Sequence, residues 1–98
     1  MKNMTYKIQY KALAERDIWE IAEYLSEHSL PAVAKFLKMV KSNVESLADM
    51  PLMYPKIDVH REYRKMVVGD YVVVYTVNEQ ACEISIIRVV HGKRNYKF

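Results

Sequence analysis

Two groups of side chains in this sequence have the types and spacing to work on an anionic partner. The first is His91 with Arg94, just past the end of an apolar run from Cys82 to Val90. A histidine titrates near neutral pH and serves as general acid or base, and an arginine fork neutralises a phosphate oxygen through two hydrogen bonds. The plainer reading of the pair is a strand-end histidine bonded to backbone and a solvated tail charge. The second group is Arg61-Glu62-Tyr63-Arg64-Lys65. Strand alternation puts Arg61, Tyr63 and Lys65 on one face, and Arg64 on the other beside Met66 and Val68. Cations for phosphate and rings for bases are what an RNA-binding surface needs. An edge strand that uses charge to block aggregation has the same composition. Arg88 interrupts an otherwise apolar strand, so it must reach water, a carboxylate or a ligand. Lys93 and Tyr96 extend the basic, aromatic tail, and Tyr96 either stacks on a base or plugs the edge of the core.

Other chemistries are excluded by composition. Gly69 and Gly92, the only two glycines, cannot build a phosphate-cradling loop. His28, His60 and His91 lack metal-ligand spacing, and the single cysteine, Cys82, excludes a disulfide framework and a multi-cysteine zinc site. Cys82 opens an apolar strand and reads as a buried residue rather than a reactive one. No metal and no cofactor are expected. The 98 residues make one domain, 1–98, and the 51% hydrophobic content excludes a disordered chain. No apolar run approaches the roughly 18 residues of a membrane span, and the opening MKNMTYKIQY is not a signal peptide, so a soluble cytoplasmic protein is expected. The net charge of +3 is unevenly placed. Residues 1–55 balance seven cations with seven carboxylates, whereas residues 56–98 set eight cations against five. A local basic surface favours an acidic partner.

The elements that must carry these residues follow from periodicity. Tyr6 to Tyr10 alternates and reads as a half-buried strand. Ala14, Ile18, Ile21, Ala22 and Leu25 form one helical stripe flanked by Trp19, with Glu15, Glu20, Glu23 and Glu27 mostly off it. Pro31 suits the first turn of a second helix capped by Ser29 or Ser26, with a stripe through Val33, Phe36, Leu37, Val40, Val44 and Leu47. Met50-Pro51 is expected to end it. Residues 51–62 read as an irregular loop. Tyr63–Val68 and Tyr71–Val77 read as two strands joined by a Gly69-Asp70 turn. The second is apolar almost throughout, as a strand covered on both faces would be. Cys82–Val90 is the third, and its offset apolar positions require a bulge or two covered faces. The result is an α+β fold, β-α-α-β-β-β, with a helical hairpin on one face of a small, mainly antiparallel sheet. The other face is expected to be open and to bear the cations.

Four segments together resemble the RelE/ParE superfamily of toxins from type II toxin–antitoxin systems. They are Tyr10 to Tyr24 with its acidic-apolar rhythm, Val44-Glu45-Ser46-Leu47-Ala48-Asp49-Met50-Pro51, the pair Tyr63–Val68 and Tyr71–Tyr75, and Ile84-Ser85-Ile86-Ile87-Arg88-Val89-Val90-His91-Gly92-Lys93-Arg94-Asn95. The likeness spans nearly the whole chain. It implies a growth-inhibiting toxin neutralised by an antitoxin, in a hetero-oligomer, through an acidic, partly disordered antitoxin segment. The RelE-like branch cleaves mRNA on the ribosome with basic residues, and the ParE-like branch inhibits DNA gyrase. By position, Arg94 resembles the cleaving branch's arginine after the last strand, and His91 resembles a histidine found in both branches. Ribosome-dependent members commonly carry an arginine in the central strand where this chain has Val72. A valine cannot neutralise a phosphate, and Tyr96 stands nearer Arg94 than the usual catalytic tyrosine. The resemblance therefore leans to the ParE-like branch, not an enzyme, with an mRNA endoribonuclease using His91 and Arg94 as one alternative. A non-toxic binding homologue is the other. Arg61, Arg64, Lys65, Arg88, Lys93 and Tyr96 are the candidate contacts to nucleic acid or target.

Overall fold

The computed structural model describes residues 5–57 and 62–93. Its elements are β1 (Lys7–Tyr10), α1 (Ala12–Ser26), α2 (Leu30–Ser46), β2 (Arg64–Val68), β3 (Tyr71–Asn78) and β4 (Glu83–His91). The four strands form one sheet in the order β1-β4-β3-β2. β1 runs parallel to β4, and the other two pairings are antiparallel. The expected β-α-α-β-β-β order and the helical hairpin are both present.

Local chemistry sets the element ends. Ser29 caps α2, its hydroxyl accepting the Ala32 N–H, and Pro31 sits in the first turn where its missing N–H costs nothing. The helix ends at Ser46, earlier than Met50-Pro51. Leu47 turns inward at 1% exposure, and the Ala48, Asp49 and Met50 N–H groups close tight three-residue turns. The Ala48 carbonyl accepts the Tyr6 N–H, which ties this turn to the start of the sheet. Packing of Leu47 thus ends the helix before the proline can.

The hairpin between β2 and β3 turns at Gly69-Asp70, with Gly69 at φ +59°. A Cβ at Gly69 would stand 3.1 Å from both the methyl carbon and the sulfur of Met39.

The main core lies between sheet and helices. Phe36, Val40, Val44 and Leu47 of the second helix and its cap meet Met66, Val68, Val73, Tyr75, Ile84, Ile86 and Val89. Tyr75 is fully buried, and its hydroxyl donates to the Pro51 carbonyl at 3.0 Å. Burial pushes its phenol pKa up. β3 is covered on both faces, as its sequence requires: Val72, Val73, Val74 and Tyr75 are each at most 5% exposed.

β4 reads both ways because of a bulge. Val74 pairs with Arg88 but Tyr75 pairs with Ile86, so Ile87 is the extra residue. Ile84, Ile86 and Val89 consequently share the helix side, and Val90 turns to the other face. That other face departs from the expectation of an open, cation-bearing surface. Val72, Val74 and Val90 form a second apolar cluster there, with Ile57, Tyr63 and Ile87 packed against it. Residues 55–57 also line the β2 edge: the Ile57 N–H donates to the Tyr63 carbonyl and the Lys65 N–H to that of Pro55. Cys82 is a second correction. It lies in the turn before β4 at φ +52°, half-buried, because the chain must reverse after Asn78 before pairing can resume.

Gly69→Ala is expected to lower unfolding stability by about 1–2 kcal/mol, the cost of a Cβ in the left-handed region. A urea unfolding midpoint compared with wild type measures it.

Candidate functional site

The candidate residues sit on β2, on β4 and in the segments that flank them. The structure separates them by what their charges are already doing. Arg88 is committed to α1. Its Nε donates to Asp17 Oδ2 at 2.7 Å, and its Nη2 donates to Oδ1 at 3.0 Å. Asp17 Oδ2 also accepts the Val89 N–H at 2.9 Å. The reason is topological. β1 covers β4 only as far as Ile86, whose carbonyl accepts the Lys11 N–H. Beyond that point the Val89 N–H has no strand to meet, and the Asp17 carboxylate takes the strand's place. Asp17 holds the guanidinium pKa above its ordinary value, chiefly through the hydrogen bond. The sequence required a carboxylate, water or ligand for Arg88, and the partner is a residue 71 positions away.

Arg64 is also in structural use. It is half-buried on the core side with Met66 and Val68, as alternation indicated. Its Nη1 donates to the Tyr54 carbonyl at 2.7 Å, which clamps the loop after α2 onto β2. Lys56 forms an ion pair with Glu62 at 3.2 Å. Lys65 and Lys93 are exposed. Arg61, Arg94 and Tyr96 lie outside the described residues.

His91 closes β4 opposite Tyr71. Their rings meet edge to face, 5.4 Å between centroids, and Tyr71 in turn packs on Phe36 at 4.9 Å. The exposed imidazole accepts the Lys93 N–H on Nδ1 at 3.2 Å. Nε2 is therefore the nitrogen that carries the proton in the neutral ring. Beside the ring lies a shallow cleft of about 230 Å³ lined by Glu20, Ile21, Tyr24, Tyr71, Val90 and His91, with Asp17 at its edge. Burial raises the Tyr71 phenol pKa, and Asp70 and Tyr24 add to the rise. Rings and carboxylates beside His91 suit a protein surface better than a phosphodiester, which Glu20 would repel.

Sequence reasoning placed His91 with Arg94 just past a strand ending at Val90; β4 runs one residue further, to His91, and Arg94 lies outside the described residues. Sequence reasoning missed Asp17, Tyr24 and Tyr71. Asp17 had one signal, its place just off the apolar stripe of α1. Among the described residues no group of histidines, cysteines or carboxylates could hold a metal ion.

Several known proteins share this fold. The sequence matches the model of the family described as ParE toxin of type II toxin–antitoxin system, parDE, over residues 8–96. No curated protein matches it significantly. Among solved structures, the chromosomal ParDE system from P. aeruginosa aligns at 15% identity and a TM-score of 0.75, covering 92% of this chain and 98% of that one. The RelBE2 toxin–antitoxin complex from Mycobacterium tuberculosis aligns at 18% identity and 0.62, covering 92% and 94%. The isolated E. coli RelE toxin aligns at 20% identity and 0.60, covering 92% and 87%. At these identities the structures speak for the fold.

The two halves of the Asp17 contact are separable. Asp17→Ala is expected to cost about 3 kcal/mol, because it strands both the guanidinium and a strand N–H. Arg88→Ala is expected to cost about 1 kcal/mol, because the carboxylate keeps Val89. Urea midpoints of the two variants give the comparison, and equal losses would contradict the assignment.

Proposed function

We propose that this chain, which belongs to the ParE toxin family of type II toxin–antitoxin systems, stops growth by poisoning DNA gyrase through binding rather than by cutting RNA. The observation that carries this reading is the prior commitment of the two arginines on the described strands. Cleavage of a phosphodiester needs positive charge free to meet the charge that develops on phosphate. Arg88 is held by Asp17 and Arg64 by the Tyr54 carbonyl. The central-strand position where cleaving relatives carry arginine is Val72, 5% exposed among Val74 and Val90. His91 has its Nδ1 on backbone, and among the described residues no carboxylate bonds its other nitrogen to tune it as a general base.

The target surface on this reading is the β4 end and the outer side of β2. Lys65, Lys93 and the His91–Tyr71 cleft lie there, and Arg61, Arg94 and Tyr96 supply further contacts from the adjoining segments. Cation–aromatic surfaces of this kind anchor protein partners, with arginine and tyrosine carrying most of the affinity. On this reading residues 1–98 form one toxin domain that acts in the cytoplasm, where gyrase is found. No described helix is long and apolar enough to cross a membrane. The cognate antitoxin presents an acidic segment that folds onto the basic sheet half and hides the same surface from the target. The module then maintains the plasmid or chromosome region that encodes it.

An mRNA endonuclease is the second reading, with His91 and Arg94 as acid–base and phosphate groups. Its specific support is the C-terminal cation excess and the exposed imidazole. Purified chain titrated into a gyrase supercoiling reaction is expected to inhibit it and to accumulate cleaved DNA. Primer extension on mRNA after induction is expected to show intact transcripts. Untouched supercoiling at large excess, with new transcript ends inside codons, would overturn the proposal in favour of the second reading.

A further inference from the structure

β4 runs on past the end of β1, and the space left beside it is only partly filled. β1 reaches no further than the pairing of Tyr10 with Ile86, where the Lys11 N–H closes the row on the Ile86 carbonyl. Farther along, Val90 pairs with Val72, and the Gly92 N–H donates to the Asp70 carbonyl. Alternation along the strand therefore turns the Val89 N–H and carbonyl away from β3, toward α1. Asp17 accepts the N–H at 2.9 Å. The carbonyl beside it has no strand to accept from. Between this stretch and α1 lies the cleft of about 230 Å³, with Glu20 and Tyr24 on its helix side and Tyr71 and His91 on its sheet side.

The chemistry of the cleft selects what it takes. Both Asp17 oxygens are in use, and Arg88 balances the charge. Glu20 has no lysine or arginine among the residues that line the cleft with it. Its Oε1 meets Arg16 at 3.0 Å, with the two side chains 60% and 73% exposed, and exposed pairs of this spacing are weak. Its Oε2 is unbonded among the described residues. Tyr24 is 62% exposed, its ring held edge to face against His28 at 5.0 Å between centroids. Burial, then Asp70 and Tyr24, raise the Tyr71 phenol pKa, so that wall is electronegative too. A carboxylate, an open backbone carbonyl and phenol rings all favour positive charge. A phosphate would be repelled by the carboxylate. Ile21 and the valines of β4 make the rest of the lining, which suits the aliphatic stem of a long cationic side chain. A planar guanidinium matches this set better than an ammonium, because it stacks on a ring while donating in its own plane.

We infer that this cleft is a receptor for one arginine side chain of a protein partner. The guanidinium lies against the Tyr24 ring and donates to Glu20 Oε2 and to the Val89 carbonyl. The chain thus presents the exposed Lys65 and Lys93 to its partner and takes a cation in return, so the partner surface carries both signs. Naming gyrase as that partner rests on the function proposed above, whereas the preference of the cleft for a cation does not.

The test titrates the purified full-length chain, labelled with nitrogen-15, with the peptide acetyl-Gly-Arg-Gly-amide. Parallel titrations use the same peptide with citrulline, the neutral near-isostere, or with glutamate in place of arginine. The arginine peptide is expected to shift the amides of Tyr24, Val90 and His91 with a Kd of about 1–10 mM, as fits one side chain without the rest of an interface. The citrulline and glutamate peptides are expected to bind at least about fivefold more weakly, having lost the charge-assisted bonds and the cation–ring attraction. Glu20→Gln and Tyr24→Leu, both at exposed positions, are each expected to weaken the arginine peptide at least about threefold. Glu45→Gln, on α2 outside the cleft, is expected to leave its binding unchanged. Equal binding of the arginine and citrulline peptides, shifts spread over the surface, or indifference to both cleft variants overturns the inference. So does tighter binding of the glutamate peptide. In the supercoiling reaction Glu20→Gln is expected to inhibit gyrase at least about threefold less than wild type. Equal inhibition by this variant and wild type overturns the use of the cleft on gyrase. Should wild type leave supercoiling untouched while the arginine peptide still binds at the cleft, the gyrase reading fails and the arginine receptor stands.

Discussion

The carboxylate of Asp17 does the work of a missing strand. β1 is four residues long and β4 is nine, so the upper part of β4 would leave a backbone donor unmet beside the helix layer. Asp17 accepts that donor from α1 and the Arg88 guanidinium with it. One side chain thereby fixes how α1 lies on the sheet and where the bulge in β4 delivers Val89. Through Val89 and Val90 it also sets the path of the strand end that carries His91. Two of its three hydrogen bonds come from the charged guanidinium, so the contact is stronger than a neutral hydrogen bond in the same place.

The same economy governs the rest of the sheet. Its described cations divide into those used inside the fold and those left exposed, such as Lys65. Arg64 clamps the loop after α2 through a carbonyl, which allows Tyr75 beneath it to bond Pro51 from a fully buried position. The bulge at Ile87 lets a single strand feed two apolar clusters, one under the helices and one on the opposite face. Burying valines on both faces of β3 fills the central strand with apolar side chains from Val72 to Val74.

Much of this was legible beforehand. Stripes of period 3.6 at Ala14–Leu25 and Val33–Leu47 gave both helices, and Ser29 and Pro31 gave the start of the second. The apolar run Tyr71–Val77 gave a strand covered on both faces. The end of α2 was misplaced because proline grammar is local, whereas the burial of Leu47 and the bond from Tyr6 to Ala48 are tertiary. The site was half legible. His91 and Lys93 at a strand end follow from order along the chain, but which arginines remain free depends on distant partners. Asp17 and Tyr54 do not announce themselves by spacing.

The sequence by itself determined the elements, their order and the family likeness, because periodicity, capping and turn chemistry act over a few residues. It also determined that Arg88 needed a partner, since a charge in an apolar strand cannot go unpaired. Only the tertiary structure decided who that partner is, and with it which cations face inward. It also decided that the side opposite the helices is an apolar cluster rather than an open basic surface. Those outcomes depend on strand register and on where β1 stops beside β4, and register is a property of two segments meeting, not of either one.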